Sequence, residues 1–121
     1  MNKITVKNIN INITGISDDD YVSLTDIARI KNPKEPKDVV KNWMRLRPTL
    51  EFLGIWETLN NLDFNRVEFD PLLAESGKNS FTMSPTRWVS EFNAIGIKTK
   101  ATKNVGTFAH REIALEIFRN I

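Results

Sequence analysis

The first residues alternate in character. Ile4, Val6, Ile9, Ile11 and Ile13 are apolar and β-branched, and Asn8, Asn10 and Asn12 fill intervening positions. Successive side chains of a strand point to opposite faces, so this spacing predicts a half-buried strand or hairpin. Gly15 to Asp20 reads as a polar turn, and Tyr21-Val22 completes a second short strand. The period then changes. Leu24, Ile27, Ala28 and Ile30 recur at helical spacing behind Ser23, which stands three residues before Asp26 in the manner of a capping box. Asn32-Pro33 ends that helix, because a residue before proline avoids the helical region. Lys31 to Lys37, with Pro33 and Pro36, is a loop. A second helix is predicted from Lys37 to Leu46, with Pro36 suited to its first turn and Val39, Val40, Trp43, Met44 and Leu46 facing inward.

Pro48 breaks that helix or starts the next. Leu50, Leu53, Trp56 and Leu59 form the stripe of a third helix, widened by Phe52 and Ile55. Gly54 inside it costs about 1 kcal/mol relative to alanine and permits close packing. Beyond the polar turn Asn60 to Asn65, Val67 and Phe69 predict a brief strand, and Pro71 to Glu75 one helical turn stopped by Gly77. Phe81 to Met83 is short and extended. Ser84-Pro85 pairs an N-cap residue with a first-turn proline, so a helix starts there, with Trp88, Val89 and Phe92 inward and Gly96 at its end. Ile97 to Ala109 alternates basic with apolar or small residues around Asn104-Val105-Gly106, which predicts a β-hairpin, or wing. A last helix follows His110, with Ile113, Ala114, Ile117 and Phe118 on one face. That pattern is still running at Ile121, as in a fragment of a longer protein with a further domain or partner beyond it.

Composition narrows the class. With 121 residues, 40% hydrophobic and 26% charged, the chain reads as a single globular domain, 1–121, with one core. No apolar run approaches the ~20 residues of a membrane helix, and the start lacks the continuous apolar stretch of a signal peptide. The expectation is no membrane partner and a cytoplasmic location. Cysteine is absent, which excludes disulfides and cysteine-based zinc sites. The single histidine, His110, reads as a helix cap or packed residue, and leaves histidine-rich metal sites without ligands. Asp18-Asp19-Asp20 reads as an exposed turn rather than a cation site. No nucleophile–base pair, phosphate loop or zinc-ligand spacing occurs, so neither an enzyme nor a cofactor or metal is expected.

Charge is informative in its placement. The net value is only +2, but bases gather at Arg29, Lys31, Lys34, Lys37, Lys41, Arg45 and Arg47, and again at Lys98, Lys100, Lys103 and Arg111. An acidic stretch from Glu51 to Glu75 lies between. Lys41, Asn42, Arg45 and Arg47 fall along one predicted helix opposite its apolar stripe, which is what a recognition helix requires: it fits a major groove, and these residue types bond base edges or phosphates. A short capped helix precedes it, as in a helix-turn-helix, although the loop is longer than the usual turn. Lys98 and Lys100 share a strand face by period-2 spacing and, with Lys103 and Asn104 at the tip, make a candidate phosphate track on the wing. The bland alternatives are a solvated helix face and an edge strand protected by lysine. Thr86 and Arg87, in the first turn after Ser84, are a second contact set, since a helix N-terminus attracts phosphate. Trp43, Trp56 and Trp88 sit at core spacing and read as packing rather than base-stacking residues.

Several blocks together resemble one family. Tyr21-Val22-Ser23-Leu24-Thr25-Asp26-Ile27-Ala28, then Trp43 and Arg45, then Glu51-Phe52-Leu53-Gly54-Ile55-Trp56-Glu57 follow in order. Phe69, Ser80-Phe81-Thr82-Met83-Ser84-Pro85, Trp88, Asn93-Ala94-Ile95-Gly96-Ile97 and Gly106-Thr107-Phe108-Ala109-His110-Arg111-Glu112-Ile113-Ala114 complete the series. This succession resembles the KilA-N domain of phage, large DNA virus and bacterial proteins. The resemblance implies duplex DNA binding, in a transcriptional regulator or antirepressor module. It also implies a relationship to the fungal APSES domain, hence a winged-helix-like α+β fold of several short helices and β-hairpins. The tip Thr102-Lys103-Asn104-Val105-Gly106 carries less glycine than the family's usual wing. The competing class is a protein-interaction module that docks on another regulator without touching DNA.

Overall fold

The computed structural model describes residues 2–16, 19–100 and 106–120. In chain order the elements are β1 (Asn2–Val6), β2 (Ile9–Ile16), β3 (Asp19–Ser23), α1 (Leu24–Lys31), α2 (Pro36–Met44), α3 (Arg47–Asn60), α4 (Arg66–Glu75), α5 (Pro85–Phe92), β4 (Ile97–Lys100), β5 (Gly106–His110) and α6 (Arg111–Arg119). The strands form one antiparallel sheet in the order β1-β2-β3-β5-β4. The result is a small α+β domain.

The predicted N-terminal hairpin is present. Lys7 and Asn8 connect its strands with φ values of 50° and 66°, the positive pair that a tight two-residue hairpin turn needs. Ile11 is buried in the core behind it. Of the stretch Gly15 to Asp20, expected as a polar turn, the described residues Gly15, Ile16, Asp19 and Asp20 belong to strands. Gly15 pairs with Asp20 and Ile16 with Asp19, so the strands run on and satisfy backbone groups that an open turn would leave to water. Asp18 lies outside the described residues.

Helix boundaries follow cap chemistry. The Ser23 hydroxyl accepts the Asp26 backbone N–H at 3.1 Å, which is half of the expected capping box; the Asp26 carboxylate turns elsewhere. α2 stops at Met44, and Leu46 is 48% exposed at the start of α3 instead of facing inward. Pro48 has no N–H to give the Met44 carbonyl, so the helix cannot run on in register. In α3 the buried set is Leu50, Leu53, Gly54 and Glu57, the i, i+3, i+4, i+7 pattern of one face, joined by Thr49 and Trp56. Leu59 therefore falls outside it and is exposed.

Val67 and Phe69 do not form a strand. Both belong to α4, capped by Asn65, and Pro71 lies inside that helix. The i, i+3, i+4 series Phe69, Leu72, Leu73 outweighs the two-residue alternation. Phe69 lies across Gly54, where an added Cβ would overlap its ring. Gly54→Ala is therefore expected to destabilise the domain by about 1–3 kcal/mol through overpacking, against the propensity gain of about 1 kcal/mol that alanine brings to an open helix position. A melting temperature at or above the parent's would show that the ring swings aside freely.

α5 begins as its sequence predicts, with the Ser84 hydroxyl accepting the Arg87 N–H at 3.2 Å. It ends at Asn93, whose φ of 54° is left-handed, and not at Gly96. Gly96 instead sits over Glu57. That buried carboxylate accepts the backbone N–H groups of Ile95 and Gly96 at 3.0 and 2.7 Å and the Asn61 side-chain amide at 3.0 Å. One acidic residue thereby fixes the approach of the chain to β4.

His110 is both cap and packed residue. Its Nδ1 accepts the Glu112 N–H at 3.2 Å, and its ring lies against Tyr21 and Trp56. Trp43, Trp56 and Trp88 are all buried, as their spacing predicts. Phe118 departs from expectation and is 41% exposed.

Candidate nucleic-acid interface

The site is assembled around α1, α2 and the β4–β5 hairpin. The turn between α1 and α2 is fixed by Asn32, whose side-chain oxygen accepts the backbone N–H groups of Lys34 and Glu35 at 3.2 and 3.1 Å. That closure places Lys34 at the rim of α2. Within α2, Val40, Trp43 and Met44 are buried, so Lys37, Lys41, Asn42 and Arg45 are turned to solvent. Thr25, on α1, accepts the backbone N–H of Thr107 at 3.2 Å and so pins the base of the hairpin to the helix pair.

Between these parts runs a cleft of about 760 Å³. Its cationic walls are Arg29 from α1, Lys34 from the turn, and Lys37 and Lys41 from α2, against the single carboxylate of Glu35. Its hydroxyls are Thr25, Ser84 and Thr86 at the start of α5, and Thr99 and Thr107 on the hairpin. Among the described residues, Lys34, Lys37 and Lys41 form no ion pair. A concave wall with several unpaired cations and hydroxyl donors suits a chain of phosphates.

The residues singled out from sequence are distributed unevenly about this cleft. Lys41 lines it. Asn42 lies on the other flank of α2, in a pocket of about 460 Å³ with Lys31, Asp38 and Asn120. Arg45 is exposed at the C-cap of α2, one turn beyond Lys41. Arg47 is not on α2: it begins α3 and pairs with Glu51 at 3.0 Å. In the hairpin, directly opposed residues share a face, so Thr99 and Thr107 look into the cleft. Half-buried Lys98, opposite Phe108, belongs to the other face. Lys100 closes β4 opposite Gly106, and Lys103 and Asn104 lie outside the described residues. Of the second contact set, Thr86 lines the cleft, while Arg87 is engaged by Glu91 and the Thr82 carbonyl.

Arg29, Lys34 and Lys37 stand in the sequence as members of a basic run, with no role of their own legible there. The helical i, i+4 relation of Lys37 to Lys41 was the available signal. Thr25 and Thr107 carried none, because their proximity depends on β5 lying between β3 and β4.

The comparison with known families settles the kinship. The KilA-N domain model matches residues 4–121. The chain belongs to the KilA-N domain family. KilA-N domains are generally linked to DNA binding and regulation. No curated protein and no solved structure matches the chain. The blocks that carry the KilA-N resemblance are largely scaffold. Tyr21, Asp26, Trp56, Glu57 and Trp88 are buried in them, whereas Lys34 and Lys37 of the cleft lie between blocks. Among the described residues of this KilA-N domain no helix is long and apolar enough to cross a membrane, and no cluster of ligating side chains can hold a metal.

Proposed function

We propose that this KilA-N domain binds double-stranded DNA in a sequence-dependent way, as the DNA-reading part of a phage-, virus- or bacteria-type transcriptional regulator or antirepressor acting in the cytoplasm. The observation that carries the reading is the basic cleft beside an exposed helix. Phosphate contacts from Arg29, Lys34, Lys37 and Lys41 supply affinity and set the docking angle, and carry no sequence information directly. Exposure of Asn42 on α2 and of Arg45 at its C-cap supports a role for both in contacting base edges in a major groove. Lys98, Lys100, Lys103 and Asn104 contact the adjoining backbone in this reading.

Binding-site selection from random duplexes tests this. Arginine pairs with guanine, and asparagine with adenine, in two-point fashion worth about 1–3 kcal/mol of discrimination. Arg45→Ala and Asn42→Ala are each expected to flatten the preference at one base position. Profiles identical to the parent's for both variants would exclude α2 as the reader and point to α5 with Thr86. The competing reading, a protein-docking module with no DNA role, is favoured by exposed Ile55, Leu59 and Leu62. Failure of the parent to retain any duplex at low salt would overturn the DNA-binding reading and favour this one.

A further inference from the structure

The Asp26 side chain is 5% exposed, and phosphate binding as described makes no use of it. One carboxylate oxygen accepts both the backbone N–H and the side-chain amide of Asn12, at 3.0 and 2.9 Å. The other accepts the Arg29 guanidinium one turn along α1. Arg29 is 46% exposed at its side chain and lines the basic cleft. A guanidinium carries five N–H donors in a planar fork. Asp26 takes one Nη1 donor, and among the described residues the remaining donors have no partner.

We propose that Arg29 is a phosphate ligand of the cleft, and that Asp26 is the positioning residue that holds its fork toward the bound backbone. This rests on the DNA-binding reading. The three lysines of the cleft have long stems that must be ordered when DNA arrives. Arg29 is ordered beforehand, since Asp26 is fixed to β2 through Asn12 and to α1 through its own backbone. A donor that is already oriented loses less freedom on binding, and a planar fork matches phosphate oxygens in a way that an ammonium does not. The opposite role is also physically defined: a carboxylate beside a cation can cancel its charge and weaken anion binding. The two roles predict opposite signs when Asp26 loses its charge.

The experiment measures affinity of the 121-residue protein for a mixed-sequence duplex across a salt series. The proteins are the parent, Arg29→Ala, Asp26→Asn and the double variant, each with a thermal melt. Arg29→Ala is expected to weaken binding about tenfold, as loss of a charge-assisted bond does, and to reduce the steepness of log K against log salt by about 0.9. Asp26→Asn is expected to weaken binding severalfold although it makes the domain more positive. It is expected to add no loss in the Arg29→Ala background, where a merely structural role would give additive losses. Should Asp26→Asn fail to fold, Arg29→Lys carries the test: the slope stays, and affinity falls because the fork is gone. Parent-like affinity and slope in Arg29→Ala overturn the contact. A gain in affinity for Asp26→Asn, or additive losses, overturns the positioning role. If the parent itself binds no duplex at low salt, the DNA-binding reading has failed and this inference falls with it.

Discussion

Replacing Lys34, Lys37 and Lys41 together by glutamate is expected to abolish measurable duplex binding at physiological salt and to leave the melting temperature close to the parent's. All three are exposed on the cleft, and two of them are one helical turn apart on α2. Each phosphate neutralised by a cation adds about 0.9 to the steepness of the salt dependence, so three lost contacts remove roughly 2.7 from it. Reversal goes further than removal. A carboxylate about 4 Å from a phosphate is repelled by roughly 4 kcal/mol at the effective dielectric constant of a protein surface, before salt screens it. Together these terms exceed the affinity of ordinary non-specific binding. The fold has little stake in the exchange. Exposed substitutions away from special features usually change stability by less than about 0.5 kcal/mol each. Glutamate at position 37, in the first turn of α2, also suits the helix dipole. Anisotropy titrations across a salt series, paired with thermal melts, give both readings. Binding equal to the parent's would move the backbone off this cleft and onto the hairpin face that carries Lys98.

The parts of this fold that were legible in the sequence are those where one residue type dominates a local choice. Ser23 and Ser84-Pro85 mark helix starts because few other residue types satisfy those backbone donors. The tryptophans read correctly as core because their area cannot be left in water. Misreadings came where tertiary partners decided. Glu57 is buried and Leu59 exposed because the turn at Ile95 and Gly96 supplies donors that reward a carboxylate, and nothing near Glu57 in sequence announces them. α4 was hidden by Val67, a β-branched residue that turns out to be exposed. The candidate interface was legible only as far as one helix reaches. Lys41 and Arg45 follow from α2 alone. The cleft that Lys41 enters is closed by α1, α5 and a hairpin strand paired from far along the chain, and strand parity, not charge, decides that Thr99 and not Lys98 faces it.

Trp88→Ala is expected to cost about 3–5 kcal/mol, the range for deleting a buried aromatic. For a domain of this size that lowers the melting temperature by about 12–20 °C. Trp88 is fully buried and lies against Phe64, Phe69 and Phe92, with ring centroids 5.7, 5.9 and 5.0 Å away. Its removal empties the centre of the aromatic cluster that joins α4 to α5. The indole N–H contributes nothing to offset that loss: among the described residues it has no hydrogen-bond partner. Trp88→Phe should therefore be mild, within about 1.5 kcal/mol, since it keeps most of the ring volume and removes a buried donor without a partner. A melting curve for Trp88→Ala like the parent's would place the ring outside the core. The cluster also couples to the helix crossing at Gly54, because Phe69 touches both. A cavity at Trp88 gives the Phe69 ring room to retreat from an alanine at position 54. The double variant Gly54→Ala/Trp88→Ala is thus expected to lose less stability than the two single losses added, and strict additivity would mean that Phe69 does not link them.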